Sequence, residues 1–95
     1  MYGTTMIGTL ATGVTVKDLE AELKAWETER KVKGYMSSHV LVADDGQTVV
    51  NVAVFDSKKS YLALADDPEQ DEWYQKHFAP MLAGEPQWID GDWIT

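Results

Sequence analysis

Residues 48–55 read Thr48-Val49-Val50-Asn51-Val52-Ala53-Val54-Phe55, and Asn51 is the one polar side chain after Thr48. β-Branched residues dominate the run, which marks it as a strand. A strand with one wet face alternates apolar and polar residues. This one does not, so both of its faces need cover. In a chain of 95 residues, one layer of helices covers one face of a sheet. A second copy of the chain is the expected cover for the other.

Immediately upstream, Asp44-Asp45-Gly46-Gln47 joins this strand to another at residues 35–43. Asp-Gly between two apolar runs is a hairpin signal, because both residues tolerate positive φ. The loop decides what His39 and Asn51 have to do with each other. If Asp45-Gly46 form it, residue 40 pairs with 51, and His39 and Asn51 point to opposite faces. If Asp44-Asp45-Gly46 form it, 39 falls opposite 51 and the two make a polar dyad.

Working outward, residues 2–11 form a first strand, with Gly3 and Gly8 marking bulges or close backbone approach. Thr15 and Asp18 suit a capping box. The helix they start runs to about Lys31, with Val16, Leu19, Leu23 and Trp26 as its apolar stripe. Glu20–Lys24 and Glu27–Lys31 are i,i+4 pairs on its wet face. Downstream, Ser57 caps a second helix. Asp67-Pro68-Glu69-Gln70 starts a third, since Asp67 can cap and Pro68 suits the first helical position. The third helix is predicted over 68–83, with Trp73, His77 and Met81 on one line and Tyr74, Phe78 and Leu82 on the next. Gly84 and Pro86 end it, and residues 87–95 make a last strand.

The order β-α-β-β-α-α-β fits an α+β, ferredoxin-like split βαβ fold. Its four-stranded antiparallel sheet carries helices on one face. Residues 1–95 are expected to make a single domain, and two such domains are expected to pair through the open sheet faces into a homodimer.

Composition narrows the function classes. Sixteen acids against eight bases give a net charge of −8, which repels phosphate backbones and anionic lipid. Nucleic acid and membranes are therefore not expected partners, and no apolar run approaches the length of a membrane span. The chain opens MYGTTMIGTL, without the pattern of a signal peptide. It has no cysteine, which excludes disulfides and thiolate chemistry and fits a reducing, cytoplasmic setting. Two histidines 38 positions apart offer no zinc spacing, so no metal is expected. Phosphate loops, dinucleotide fingerprints and nucleophile elbows are all missing.

Several stretches together resemble the antibiotic-biosynthesis-monooxygenase-like branch of the dimeric α/β-barrel superfamily. They are Val54-Phe55-Asp56-Ser57, Tyr61 in the helix that follows, Asp66-Asp67-Pro68-Glu69-Gln70-Asp71-Glu72-Trp73-Tyr74, and the closing Glu85-Pro86-Gln87-Trp88-Ile89-Asp90-Gly91. The resemblance covers nearly the whole chain. It implies a barrel of two subunits packed sheet against sheet, with a pocket between each sheet and its helices. Cofactor-free oxygenases, haem-handling proteins and members without known activity share that architecture, so function has to come from the site.

The resemblance points to a small, apolar or aromatic ligand and to cofactor-independent monooxygenation of an aromatic or quinol-type substrate. Without a nucleotide motif, either the substrate reacts with oxygen as a carbanion, or haem or reduced flavin is borrowed. The candidate catalytic residues are His77, His39, Asn51 and Tyr74. An imidazole near pKa 6.5 suits a general base, while Asn51 and Tyr74 would hold the oxygen atoms. Asn51 serves equally as a structural hydrogen bond, including one across a dimer. Trp73, Phe78, Tyr61 and Phe55 are the candidate ligand wall, although aromatics at helical spacing also simply fill a core. Haem is the alternative ligand, with His77 as axial ligand, because haem-degrading relatives carry a His near that position. Those relatives also use an Asn on the first strand, and residues 2–11 contain none. A non-catalytic dimer with a filled interior is the third reading.

Overall fold

The computed structural model describes residues 1–94. The strands are β1 (Tyr2–Thr9), β2 (Tyr35–Val42), β3 (Thr48–Phe55) and β4 (Gln87–Asp92), and the helices are α1 (Val16–Glu29), α2 (Lys58–Ala65) and α3 (Pro68–Trp73). The sheet runs β2-β3-β1-β4, antiparallel at each pairing. This is the ferredoxin-like order, with the β48–55 strand at an interior position where both faces were expected to need cover. The last strand ends at Asp92, and the expected continuation to Thr95 lies outside the described residues at that one position.

The helix starts form for the reasons the sequence offers. Thr15 accepts from the Asp18 N–H at 3.1 Å, and Asp18 accepts from the Thr15 N–H at 2.9 Å. Such a cap contributes about 1 kcal/mol. Ser57 caps α2 through the Ser60 N–H, and Asp67 caps α3 through the Glu69 N–H. Glu20 and Lys24 pair at 2.8 Å. The Glu27–Lys31 pair does not form as a helical pair, because α1 ends at Glu29. Val16, in the first turn, stays 51% exposed, so the stripe that packs is Leu19, Leu23 and Trp26.

The hairpin settles in the register that separates the two polar residues. Val40 pairs with Asn51 and His39 with Val52. Asp45 fixes the turn by accepting from the N–H groups of Gln47 and Thr48 and from the Thr48 hydroxyl, each at 2.8 Å. Gly46 takes φ +73°, the conformation glycine adopts at no steric cost.

Side chains alternate across the sheet. Met6, Val49, Asn51, Ala53 and Phe55 face the helices. Met6, Leu10, Leu19, Val49, Phe78 and Leu82 make the core cluster. On the other face lie Thr5, Ile7, Val50, Val52, Val54, His39, Leu41 and Ile89. Here Leu41 and Ile89 remain more than half exposed. The Trp93 indole lies back over this face and donates to the Ala53 carbonyl at 3.2 Å. It can do so because residue 3 is glycine: a Cβ there would collide with both the indole and that carbonyl.

The segment after α3 differs from the single helix predicted over 68–83. α3 is followed by a π-helical turn at Tyr74–Phe78 and a 3₁₀ turn at Ala79–Met81. Pro80 accounts for the change. A helical proline clashes with the carbonyl four residues back, here that of Lys76. Ahead of it the helix widens, and the Ala79 N–H bonds to the Tyr74 carbonyl, five residues back. Leu82 leaves the helix and bridges to Leu10.

Candidate functional site

Between the helix-facing side of the sheet and α1, α2, α3 and the π turn lies a cavity of about 350 Å³. This is within the size range of small-molecule sites. A dimer with a filled interior would lack such a space. β3 forms its floor with Asn51, Ala53 and Phe55; α1 contributes Leu23 and Trp26; the α3–π segment contributes Trp73, Tyr74, Gln75 and Phe78. Trp88 of β4 closes another side.

The aromatic walls contact one another. Tyr61 sits 5.3 Å from Phe55, Tyr35 5.8 Å from Phe55, and Tyr74 lies stacked on Phe78 at 5.7 Å, all between ring centroids. Trp26 donates its indole N–H to Gln70 Oε1 at 2.9 Å, which ties α1 to α3 across the cavity. Near the same junction Arg30 bonds Asp67 at 2.9 Å.

Three phenols and an amide give the wall its polar handles. Asn51 Oδ1 is buried without a hydrogen-bond partner. A buried acceptor left unpaired costs about 1–3 kcal/mol. Because Asn51 faces the helices, no bond across the open sheet face engages it. Tyr35 donates to Ser38 Oγ at 2.7 Å. Tyr61 donates to Asp90 Oδ1 at 3.0 Å, and Thr4 donates to the same oxygen at 2.6 Å. Burial pushes the Tyr61 phenol up from its ordinary value; the Asp90 charge adds to this and the Thr4 hydroxyl opposes it. Burial also raises Tyr74, with the Glu85 charge adding, and raises Tyr35. All three are protonated donors at neutral pH.

Of the eight residues singled out in the sequence, Asn51, Tyr74, Trp73, Phe78, Tyr61 and Phe55 line the cavity. The two histidines do not. His39 stands on the opposite face of the sheet, across from Val52. His77 points toward α1, with Nδ1 3.8 Å from Glu22 Oε2 and its side chain 42% exposed. A haem iron held in the cavity would therefore lack His77 as a ligand, so the residues present do not fit that group. Among the described residues no cluster of metal-ligating side chains occurs, and no helix is long and apolar enough to cross a membrane.

Thr4, Asp90, Ser38 and Gln75 were missed in the sequence. Each is an ordinary polar residue in its own segment. Thr4 and Asp90 meet only because β1 and β4 pair with these two opposite one another.

Fold and cavity together define the class: an α+β protein with the fold of the antibiotic biosynthesis monooxygenases. A protein of Nitrosomonas europaea described by that name superposes over 100% of both chains, with TM-score 0.76 and 20% identity. The monooxygenase from ActVA-Orf6 of Streptomyces coelicolor, solved with the ligand nanaomycin D, matches 95% of this chain and 84% of its own, with TM-score 0.70 and 20% identity. SnoaB, a cofactor-independent oxygenase from Streptomyces nogalater, matches 99% and 94%, with TM-score 0.74 and 10% identity. No protein-family model matches the chain, and no curated protein sequence does.

Proposed function

We propose that this chain is a homodimeric, cofactor-independent monooxygenase that binds a small flat aromatic or quinol-type molecule in the cavity. The observation that carries the reading is an aromatic-walled space whose floor presents an amide with an unpartnered buried oxygen, Asn51. The fold shared with a cofactor-independent oxygenase supports it. Dimerisation joins two open sheet faces and covers Val50, Val52, Val54, Leu41 and Ile89.

The chemistry needs no external reductant. A C–H bond of the substrate, acidified by its aromatic rings, loses a proton. The carbanion gives its electrons to dioxygen and a C–O bond forms. The peroxide takes up the first proton; the hydroperoxide then breaks its O–O bond as a second proton leaves the same carbon, which yields a carbonyl and hydroxide. The second proton converts hydroxide to water. One oxygen atom stays in the product, and the methylene carbon supplies all four electrons.

In this scheme Asn51 and Tyr74 hold the substrate oxygens. We assign proton acceptance to Asp90 acting through Tyr61, rather than to either imidazole. Tyr61 lines the cavity and already donates to Asp90, so a proton from the substrate to Tyr61 is matched by one passed outward. Aligned acid–base groups of this kind contribute about 10²–10⁴-fold.

The test is oxidation of an anthrone under labelled dioxygen. One labelled atom in the quinone, none from labelled water and loss of turnover in Asn51→Ala are expected. An anthrone that binds without accelerated oxidation would reduce the reading to a binding protein.

A further inference from the structure

The ligand's charge is written in the cavity wall. Among the described residues that line it, none is Lys, Arg or His, and the one ionisable group with a formal charge at neutral pH is the carboxylate of Asp71. Arg30 and His77, on elements that build the cavity, face acids instead, although the Arg30 Nε is buried without a partner. Arg30 bonds Asp67 at 2.9 Å and reaches Glu69 at 3.9 Å, and His77 faces Glu22. Asp90 adds a second negative group just behind Tyr61. The whole chain carries −8.

An anion entering such a space gives up part of its hydration, since the wall at Asp71 and Gln75 is open to solvent, and gains no cation in return. Burying an unpaired carboxylate is among the largest costs a binding site can impose. A hydroxyl meets the opposite situation. Asn51, Ser38, Tyr61 and Tyr74 are neutral groups able to exchange hydrogen bonds with it, and Asn51 Oδ1 has no partner within the protein.

We propose that the cavity selects an uncharged, hydroxyl-bearing fused-ring aromatic against the same ring system carrying a carboxylate, and that Gln75 is the position that sets this choice. Gln75 is one of two long neutral polar side chains in the wall. The other, Gln70, is committed to the Trp26 indole. Among the described residues Gln75 has no such bond, and it stands on the π turn, next to Tyr74. A cation placed there would sit at the wall four residues after Asp71, which would offset part of its charge. The inference rests on the cavity being a ligand site, as proposed above, but not on any oxidation occurring there.

Calorimetric titration of the full chain with a dihydroxyanthraquinone, and with the same compound bearing one carboxylate, tests it at neutral pH. The uncharged compound is expected to bind at least about tenfold more tightly, a gap of about 1.4 kcal/mol. Gln75→Lys should narrow that gap by tightening the carboxylate, more so when combined with Asp71→Asn, and Asp71→Asn alone should narrow it without favouring the uncharged compound. Both positions are exposed, and circular dichroism verifies that the variants are folded. Equal affinity of the two compounds for the natural chain would overturn the charge selection while leaving the ligand site standing. A gap that Gln75→Lys leaves untouched would overturn the role of Gln75. Binding of neither compound would remove the ligand site itself, and the inference with it.

Discussion

The two faces of one sheet have been put to different uses. On the open face, β3 contributes Val50, Val52 and Val54, three copies of one small, stiff, apolar side chain. On the helix face it contributes Val49, Asn51, Ala53 and Phe55, which differ in size and polarity. The uniform face suits packing against a like surface. The varied face makes a cavity, because small Ala53 sits between larger neighbours and the helices rest on the aromatics around it. A strand that looks uniformly apolar in sequence is thus two different surfaces, separated by the pleat.

The contrast breaks most readily at the centre of the open face. Val52→Lys should shift the proposed dimer to monomer by about 3–5 kcal/mol, since it buries an unpaired charge; sedimentation equilibrium reads the change. A dimer that persists unaltered would mean the copies meet elsewhere. On the helix face, Asp90→Asn should lower anthrone turnover about 10²-fold and leave ligand affinity within about twofold. It should also alter the pH profile, with Asp90→Glu restoring part of the rate. Unchanged turnover would take Asp90 out of the proton route.

Asn51→Leu sharpens the contrast in a different way. It removes an acceptor that has no partner, so chemical denaturation should show a gain of about 1 kcal/mol, while ligand binding is lost. A loss of stability would mean that Asn51 serves the fold. Thr15→Ala, remote from both faces, should cost about 1 kcal/mol through the cap and leave dimer and ligand binding unaffected. The smallest effect is in acid. The Asp45 carboxyl is held below its ordinary value of 3.8 by the N–H groups of Thr48 and Gln47 and by the Thr48 hydroxyl. With the folded pKa depressed, its contribution is present above the ordinary value and disappears as pH falls through the lowered one. Urea denaturation at successive acidic pH values should show that slope reduced in Asp45→Asn.

Much of this architecture is legible along the chain. The valine run, the Asp-Gly turn and the Asp67-Pro68 restart each act through neighbours a few residues away, so their sequence signals suffice. Trp73, Tyr74, Phe78 and Tyr61 were legible for a related reason, as aromatics on helical segments, and Asn51 and Phe55 were legible from the apolar strand that carries them. The histidines were not. Whether His39 reaches Asn51 depends on a one-residue choice of register, and the loop sequence allowed both. Thr4 and Asp90 lie at opposite ends of the chain, and only the β1–β4 pairing brings them together.

The wide turn at Tyr74–Phe78 governs more than the path of the chain. Each residue of a π turn advances around the axis by a smaller angle than in an α-helix, so Phe78 comes beneath Tyr74 and His77 falls behind, toward Glu22. The helix is wide because of Pro80, which does not itself line the cavity. In Pro80→Ala the regular pitch becomes available again, and the side chains of the turn would change their angular positions. One proline downstream thus sets which side chains of the turn face the cavity: Tyr74, Gln75 and Phe78 line it, while His77 faces Glu22.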